Sequence, residues 1–293
     1  MEDRIMTYGG QAVIEGVLMR GQNALAIAMR APDGNIVIHK EELASIYRSR
    51  LTKTPFLRGI VLLWDALGLG MRALTISANT QTGEDEKLEG PALYMTLGLA
   101  LAIGIGLFFL LPAGIGGLAE RYLGWNTWLN NLLEGCIRLL LLVGYSWAIG
   151  FMPEVRRLFA YHGAEHKTIN AYESGADLTP ESVARFPLEH ARCGTSFILT
   201  LVLLSIVVFA FLGPLPIFWR MISRIIFIPV LAGIAVEYIR WTARHLDSSF
   251  VQALIKPNLA LQSLTTREPD SGMLEVAIKA FKSMRQAEQE IVV

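Results

Sequence analysis

The chain predicts a polytopic α-helical membrane protein with about four transmembrane helices and a small N-terminal β-rich cytoplasmic unit, on three observations. Of its 293 residues, 53% are apolar and only 18% are charged, against about 25% charged in an average soluble domain. The apolar residues are gathered into runs of bilayer length. The basic residues fall mostly outside those runs. Mean hydropathy is +0.42, and 26 Lys and Arg balance 26 Asp and Glu. That balance lacks the cationic surplus that phosphate backbones demand, so no nucleic-acid partner is expected. The apolar fraction excludes a disordered chain.

Residues 1–55 read as the β-rich unit. The runs 11–19 and 25–30 are short and β-prone, and Ala31-Pro32-Asp33-Gly34 is a turn leading into Ile36, Val37 and Ile38. A core of this size is marginal alone and should lean on another surface. Neither a long apolar core nor a cleavage-like site marks a signal peptide at this end. Residues 56–92 combine a stretch with apolar residues at helical spacing, interrupted by Arg58, Asp65 and Arg72, with an acidic linker. The first part suits a membrane-surface or re-entrant helix better than a full span.

Residues 93–151 should hold the first two spans. Positions 93–111 are 19 consecutive uncharged residues, which as a helix roughly cross a hydrocarbon core. The second span, about 129–151, contains Glu134 and Arg138, which need a protein-facing side. Residues 196–241 hold the other two. Positions 193–219 are 27 residues without a charge, with Gly213-Pro214 marking the stop of a helix. The fourth span, about 224–241, carries Glu237 and Arg240. Ten basic residues precede the first span, five lie in the middle loop 152–195 and seven follow from Arg240. By the positive-inside rule both termini and the middle loop are then cytoplasmic, which requires an even number of spans. Residues 242–293 are the C-terminal segment, where Glu268-Pro269-Asp270-Ser271 starts a helix with Leu274, Ala277, Ile278, Phe281 and Met284 on one face. That face should dock on a partner surface.

The chemistry concentrates in the middle loop, which holds three of the five histidines and one of the two cysteines. His162 and His166 are one helical turn apart, so both imidazoles can reach one ion. Glu165 stands beside them in a His-x-x-Glu-His pattern, where it could take a proton from a metal-activated water. His190 and Cys193 are three apart and share a face if a helix begins there. A nitrogen and sulfur donor set suits zinc over magnesium or calcium, and a cytoplasmic cysteine stays reduced.

The blocks Gly9-Gly10-Gln11-Ala12-Val13-Ile14-Glu15-Gly16, Tyr161-His162-Gly163-Ala164-Glu165-His166-Lys167, His190-Ala191-Arg192-Cys193-Gly194-Thr195-Ser196-Phe197 and Gln262-Ser263-Leu264-Thr265-Thr266-Arg267-Glu268-Pro269 resemble the signature blocks of the YqhQ-like bacterial integral membrane proteins. Four blocks in one order cover nearly the whole chain. The resemblance implies a bacterial inner-membrane setting and a metal-dependent enzyme in which His162, Glu165, His166, His190 and Cys193 act together. It implies no particular reaction or substrate.

Two mechanisms stay open. If His162, His166 and Cys193 alone bind zinc, a water completes the site, Glu165 is its base, and the protein is a hydrolase of a peptide or lipid-linked substrate at the membrane face. If His190 binds too, the site is closed and structural, and the protein is a scaffold or assembly factor. Inverse zincins as a class take a downstream carboxylate ligand, for which Glu237 is the intramembrane candidate; an ion pair with Arg240 or Arg138 is its competing role. Cys193 as a nucleophile with His190 as base is a further option. Glu15, between glycines, could line the site if the N-terminal unit folds over the loop. Cys136 reads as a packing residue in the second span. Transport, along Glu134, Arg138, Glu237 and Arg240, ranks last, because no inverted repeat or pair of broken helices accompanies them.

Overall fold

The computed structural model describes residues 8–44, 54–82, 90–212 and 215–292. The expected acidic linker falls largely on 83–89, and the stop signal Gly213-Pro214 on 213–214, both outside the described residues.

Four strands, β1 (Gly9–Val13), β2 (Gly16–Arg20), β3 (Ala24–Arg30) and β4 (Ile36–Glu42), form an antiparallel meander in the order β1-β2-β3-β4. The period-2 alternation of β2 and β3 divides their side chains between two cores. Val17, Met19, Ala26 and Ala28 face one side, packed with residues of α5 (Pro153–Glu173) and α10 (Ser271–Val292). Leu18, Leu25, Ile27 and Met29 face the other, packed against Ala73 of α1 (Leu57–Gln81). The sheet is therefore covered on both faces, which meets the expectation that it leans on other surfaces.

Among the described residues, four helical stretches are long and apolar enough to cross a bilayer: Leu93–Leu123, Thr127–Ile149, Gly194–Phe211 and Phe218–Arg244. The first is longer than the sequence predicts. It comprises α2 (Gly90–Ile105), a π-helical turn (Gly106–Leu110) and α3 (Leu111–Leu123), and ends on Gly124 in the left-handed region at φ 64°. Asn126 then caps α4 (Thr127–Ile149) by accepting from Leu129 N at 2.9 Å. Helices α7 (Gly194–Phe211) and α8 (Ile217–Arg244) are the other two. An even number of crossings puts the segments before the first span, between the second and third, and after the fourth on one side. The packing agrees, because the sheet, α5 and α10 share one core.

Glu134 and Arg138 do face protein, at 2% and 1% exposure. The fourth of these helices starts earlier than the expected 224, so Arg220 also lies inside α8, and both it and Arg224 are buried. Arg224 donates to both carboxylate oxygens of Glu134 at 2.7 Å, and Arg138 donates to Oε1 at 2.7 Å. Two guanidiniums thus share one carboxylate. The surplus charge is spread over Asn131 Oδ1, Ser205 Oγ and the Phe108 carbonyl of the π-helical turn, and over the Phe209 ring, 4.2 Å from Arg224 Cζ. A π-helical turn leaves carbonyls that the regular ladder would use, and here one accepts from an arginine at 2.9 Å.

Helix α1 is not laid free on a surface. Its start packs on α8 through Gly59, where a Cβ would meet Gly233 Cα at 2.5 Å, and its later half reaches the sheet, with Ser77 Oγ accepting from Ile14 N. The C-terminal helix α10 begins with Asp270 Oδ1 accepting from Met273 N at 2.8 Å. Its five expected face residues, Leu274, Ala277, Ile278, Phe281 and Met284, are all buried, so the partner surface lies within the chain. Helix α9 (Ser249–Thr265), with Pro257 inside it, was not expected.

Candidate functional site

Helix α5 starts on Pro153 at its first turn and ends before Gly175 at φ 73°, so the whole His-containing block is helical. His162 and His166 therefore project from one face. The chain returns through the short α6 (Pro180–Val183), capped by Thr179, and a loop that brings Cys193 to the start of α7. Cys193 is the residue that caps α7, accepting from Thr195 N at 3.3 Å.

One ligand atom each from His162, His166 and Cys193 lies within 4.8 Å of the others. His162 Nε2 is 3.2 Å from Cys193 Sγ. The two ring orientations follow from backbone carbonyls. Nδ1 of His162 meets Thr265 O at 2.9 Å, and Nδ1 of His166 meets Leu188 O at 2.5 Å. A carbonyl only accepts, so both Nδ1 atoms carry the proton and both Nε2 atoms present a lone pair. That is the tautomer a metal takes, with the far nitrogen held by a second group. The Nε2 of His166 is buried and has no hydrogen-bond partner among the described residues. An unsatisfied buried acceptor costs roughly 1–3 kcal/mol, so the donor set fits a transition-metal ion on the chemistry of this atom alone.

Glu165 Oε2 is 3.9 Å from His162 Nε2. Burial pushes its carboxyl up to about 7, against the opposing pull of His162 and the Gly10 N–H, which donates to it. Gly10 is essential to this approach. A Cβ there would sit 2.7 Å from Glu165 Cγ and 2.7 Å from Leu18 O, so only glycine lets β1 close over the carboxylate.

His190 does not join the three. It precedes α7, which begins at Gly194, so it shares no helical face with Cys193. Its Nε2 lies 3.3 Å from Arg192 and 3.9 Å from Glu173, and its ring centroid is 5.6 Å from that of His166. Burial, and then its neighbours His166, Arg192 and His162, push its pKa well below the usual imidazole range. The imidazole beside Cys193 is that of His162, which replaces the expected pairing of Cys193 with His190. Glu173 accepts from Arg192, and burial raises its pKa.

Glu237 is far from a ligand role: it accepts from Arg58 through both oxygens and from Phe56 N at 3.0 Å. Its partner is Arg58, not Arg240 or Arg138. Arg138 is held by Glu134. Glu15 does not line the histidine cluster. It sits at φ 53° in the β1–β2 turn and grips Arg157 through two 2.6 Å bonds. Cys136 is exposed on α4 and not packed.

Sequence reasoning missed two positioning residues. Gln262 on α9 accepts from His190 N at 3.0 Å and donates to His190 O at 2.8 Å and Ser196 Oγ at 2.7 Å. Thr265, three residues on, supplies the carbonyl for His162. Both lie in the fourth block named above, which marked the segment without revealing its task.

A family model described as a protein of unknown function, DUF1385, matches residues 54–287. That range includes every residue of the cluster and omits the sheet. A Bacillus subtilis (strain 168) protein described as uncharacterized protein YqhQ is 35% identical over 298 residues, which is 96% of this chain and 93% of that one. No solved structure matches the chain. With the family model spanning most of its length and a relative aligned nearly end to end, the chain belongs to the DUF1385 family, as the four sequence blocks imply.

Proposed function

We propose that this protein is a membrane-embedded, metal-dependent hydrolase, with zinc the favoured metal, acting at the cytoplasmic face of the bacterial inner membrane on a peptide or lipid-linked substrate. The observation that carries the reading is the convergence of His162, His166 and Cys193 within 4.8 Å. His162 and His166 would offer Nε2, and Cys193 its sulfur. Bound by three protein groups, a zinc ion supplies Lewis acidity and lowers the pKa of a water in the fourth position toward about 7. The Thr265 and Leu188 carbonyls hold the imidazoles in register. Glu165 accepts the proton from the attacking water and returns it to the leaving group, which takes the electron pair of the scissile bond. His190, held through its backbone by Gln262, packs against the site without ligating. Basic residues on the segments that share the sheet's side support a cytoplasmic placement of both termini, and the bilayer is the partner that the apolar helices fit.

A second reading rests on burial. Glu165, His166 and Cys193 are 5%, 1% and 7% exposed, and a site that closed also suits a metal that staples α5 to the start of α7. Glu165→Gln separates the two. As a hydrolase the variant folds and keeps its metal but fails to restore the phenotype of a deletion strain. As a staple it restores that phenotype in full.

A further inference from the structure

The fourth span carries a second polar feature that the histidine cluster does not use. Glu237, Arg240 and Arg244 are spaced at i, i+3 and i+7 along α8, so they form one stripe. The start of α1 lies against this part of α8, and its Arg58 occupies both oxygens of Glu237 while Phe56 N takes Oε1 as well. The only carboxylate on the stripe is thereby committed. Arg240 feels the positive charges of Arg58 and Arg244 as well as the negative charge of Glu237, which leaves two cations beyond neutrality among these four residues. The Nε of Arg240 is buried and has no hydrogen-bond partner among the described residues.

A buried guanidinium N–H without an acceptor is costly, and the like charge of the exposed Arg244 one turn on adds repulsion. What removes both costs is an anion with several oxygens that can sit between the guanidiniums, and phosphate matches that geometry. The position selects the source. The stripe is at the end of α8 that leads into the shared-core side, and its neighbours Phe56 and Trp241 are exposed, as aromatic residues at a membrane–water boundary are. We infer that Arg240, with Arg58 and Arg244, seats the phosphate of an anionic phospholipid where the start of α1 meets α8. The seat ties the start of α1 to the fourth span through a lipid headgroup, so that lipid composition sets how firmly α1 is held.

The test uses the full chain, purified in a mild detergent and delipidated. Thermal unfolding is followed with added phosphatidylglycerol, phosphatidylcholine or inorganic phosphate, for wild type, Arg240→Gln, Arg240→Lys and an exposed control, Arg185→Gln. Phosphatidylglycerol should raise the wild-type midpoint and phosphatidylcholine should not. Arg240→Gln should need roughly tenfold or more phosphatidylglycerol for the same rise, the loss expected for one charged hydrogen bond. Arg240→Lys should recover part of the response, and Arg185→Gln all of it. A rise with inorganic phosphate as large as with the lipid, also lost in Arg240→Gln, would reassign the seat from the lipid to free phosphate and overturn the lipid claim. Equal responses of wild type and Arg240→Gln to phosphatidylglycerol would overturn the seat altogether. Matching midpoints of the two in phosphatidylcholine guard against a variant that simply fails to fold.

Discussion

His166 makes a sharp chemical demand, an imidazole 1% exposed whose Nε2 has no hydrogen-bond partner among the described residues. Gly10 is constrained sterically. Gly10→Ala would force Glu165 and β1 apart, and since one of its two 2.7 Å clashes is with backbone, at Leu18 O, the strain should cost about 1–3 kcal/mol. A lower unfolding midpoint in detergent, with Glu165→Gln as the comparison, checks this. Glu15 offers a test by pH. Its bonds to Arg157 lower its folded pKa below 4.5, so the stabilisation is present above that value and is lost as pH falls through the folded one. The pair is half-exposed, which keeps the effect below about 1 kcal/mol. The midpoint gap between wild type and Glu15→Gln should accordingly close on acidification from neutral pH, and a gap independent of pH would reject the pairing. The shared face of His162 and His166 was legible in the sequence, because they sit at the spacing of one helical turn. The exclusion of His190 was not, since it depends on where α7 begins, and Gly194 after an N-capping cysteine is a boundary that spacing alone does not fix.

At the scale of elements, α10 is the clearest success of periodicity: one apolar face, five residues, all buried against the sheet and α5. Phe281→Ala should therefore destabilise the unit formed by the sheet, α5 and α10 by about 3–5 kcal/mol, read as increased amide exchange in β2, β3 and α5. Unchanged exchange would mean that α10 docks elsewhere. Helix α9 escaped notice because Pro257 and a mixed composition hide its period, yet it supplies Gln262 and Thr265 to the site. The fourth span was expected to start at about 224, later than α8 does, and the reason is physical. Arginines near a span end ordinarily mark that end, whereas Arg224 is drawn inside by Glu134, 90 residues earlier, and no local pattern records so distant a partner.

For the whole molecule, the fold reads as a bundle that holds a polar unit against one end, with the site at the junction. Neutrality of the chain conceals how unevenly charge is placed: two arginines on one glutamate inside the bundle, and a surplus of cations on the fourth span. Glu134→Gln should be the most damaging single change among the spans. It leaves two buried guanidiniums without their counter-ion, at a cost of about 3–5 kcal/mol, and should appear as loss of folded protein on extraction; an equally stable variant would contradict the network. The chemistry centres on the cluster at the junction, and metal content measures it most directly. Elemental analysis of the full chain, purified without chelator, should give about one equivalent of zinc or another transition metal per chain, with His166→Ala and Cys193→Ala reduced to background while remaining folded. Wild-type protein that carries no stoichiometric transition metal, and gains none when zinc is supplied, would contradict it.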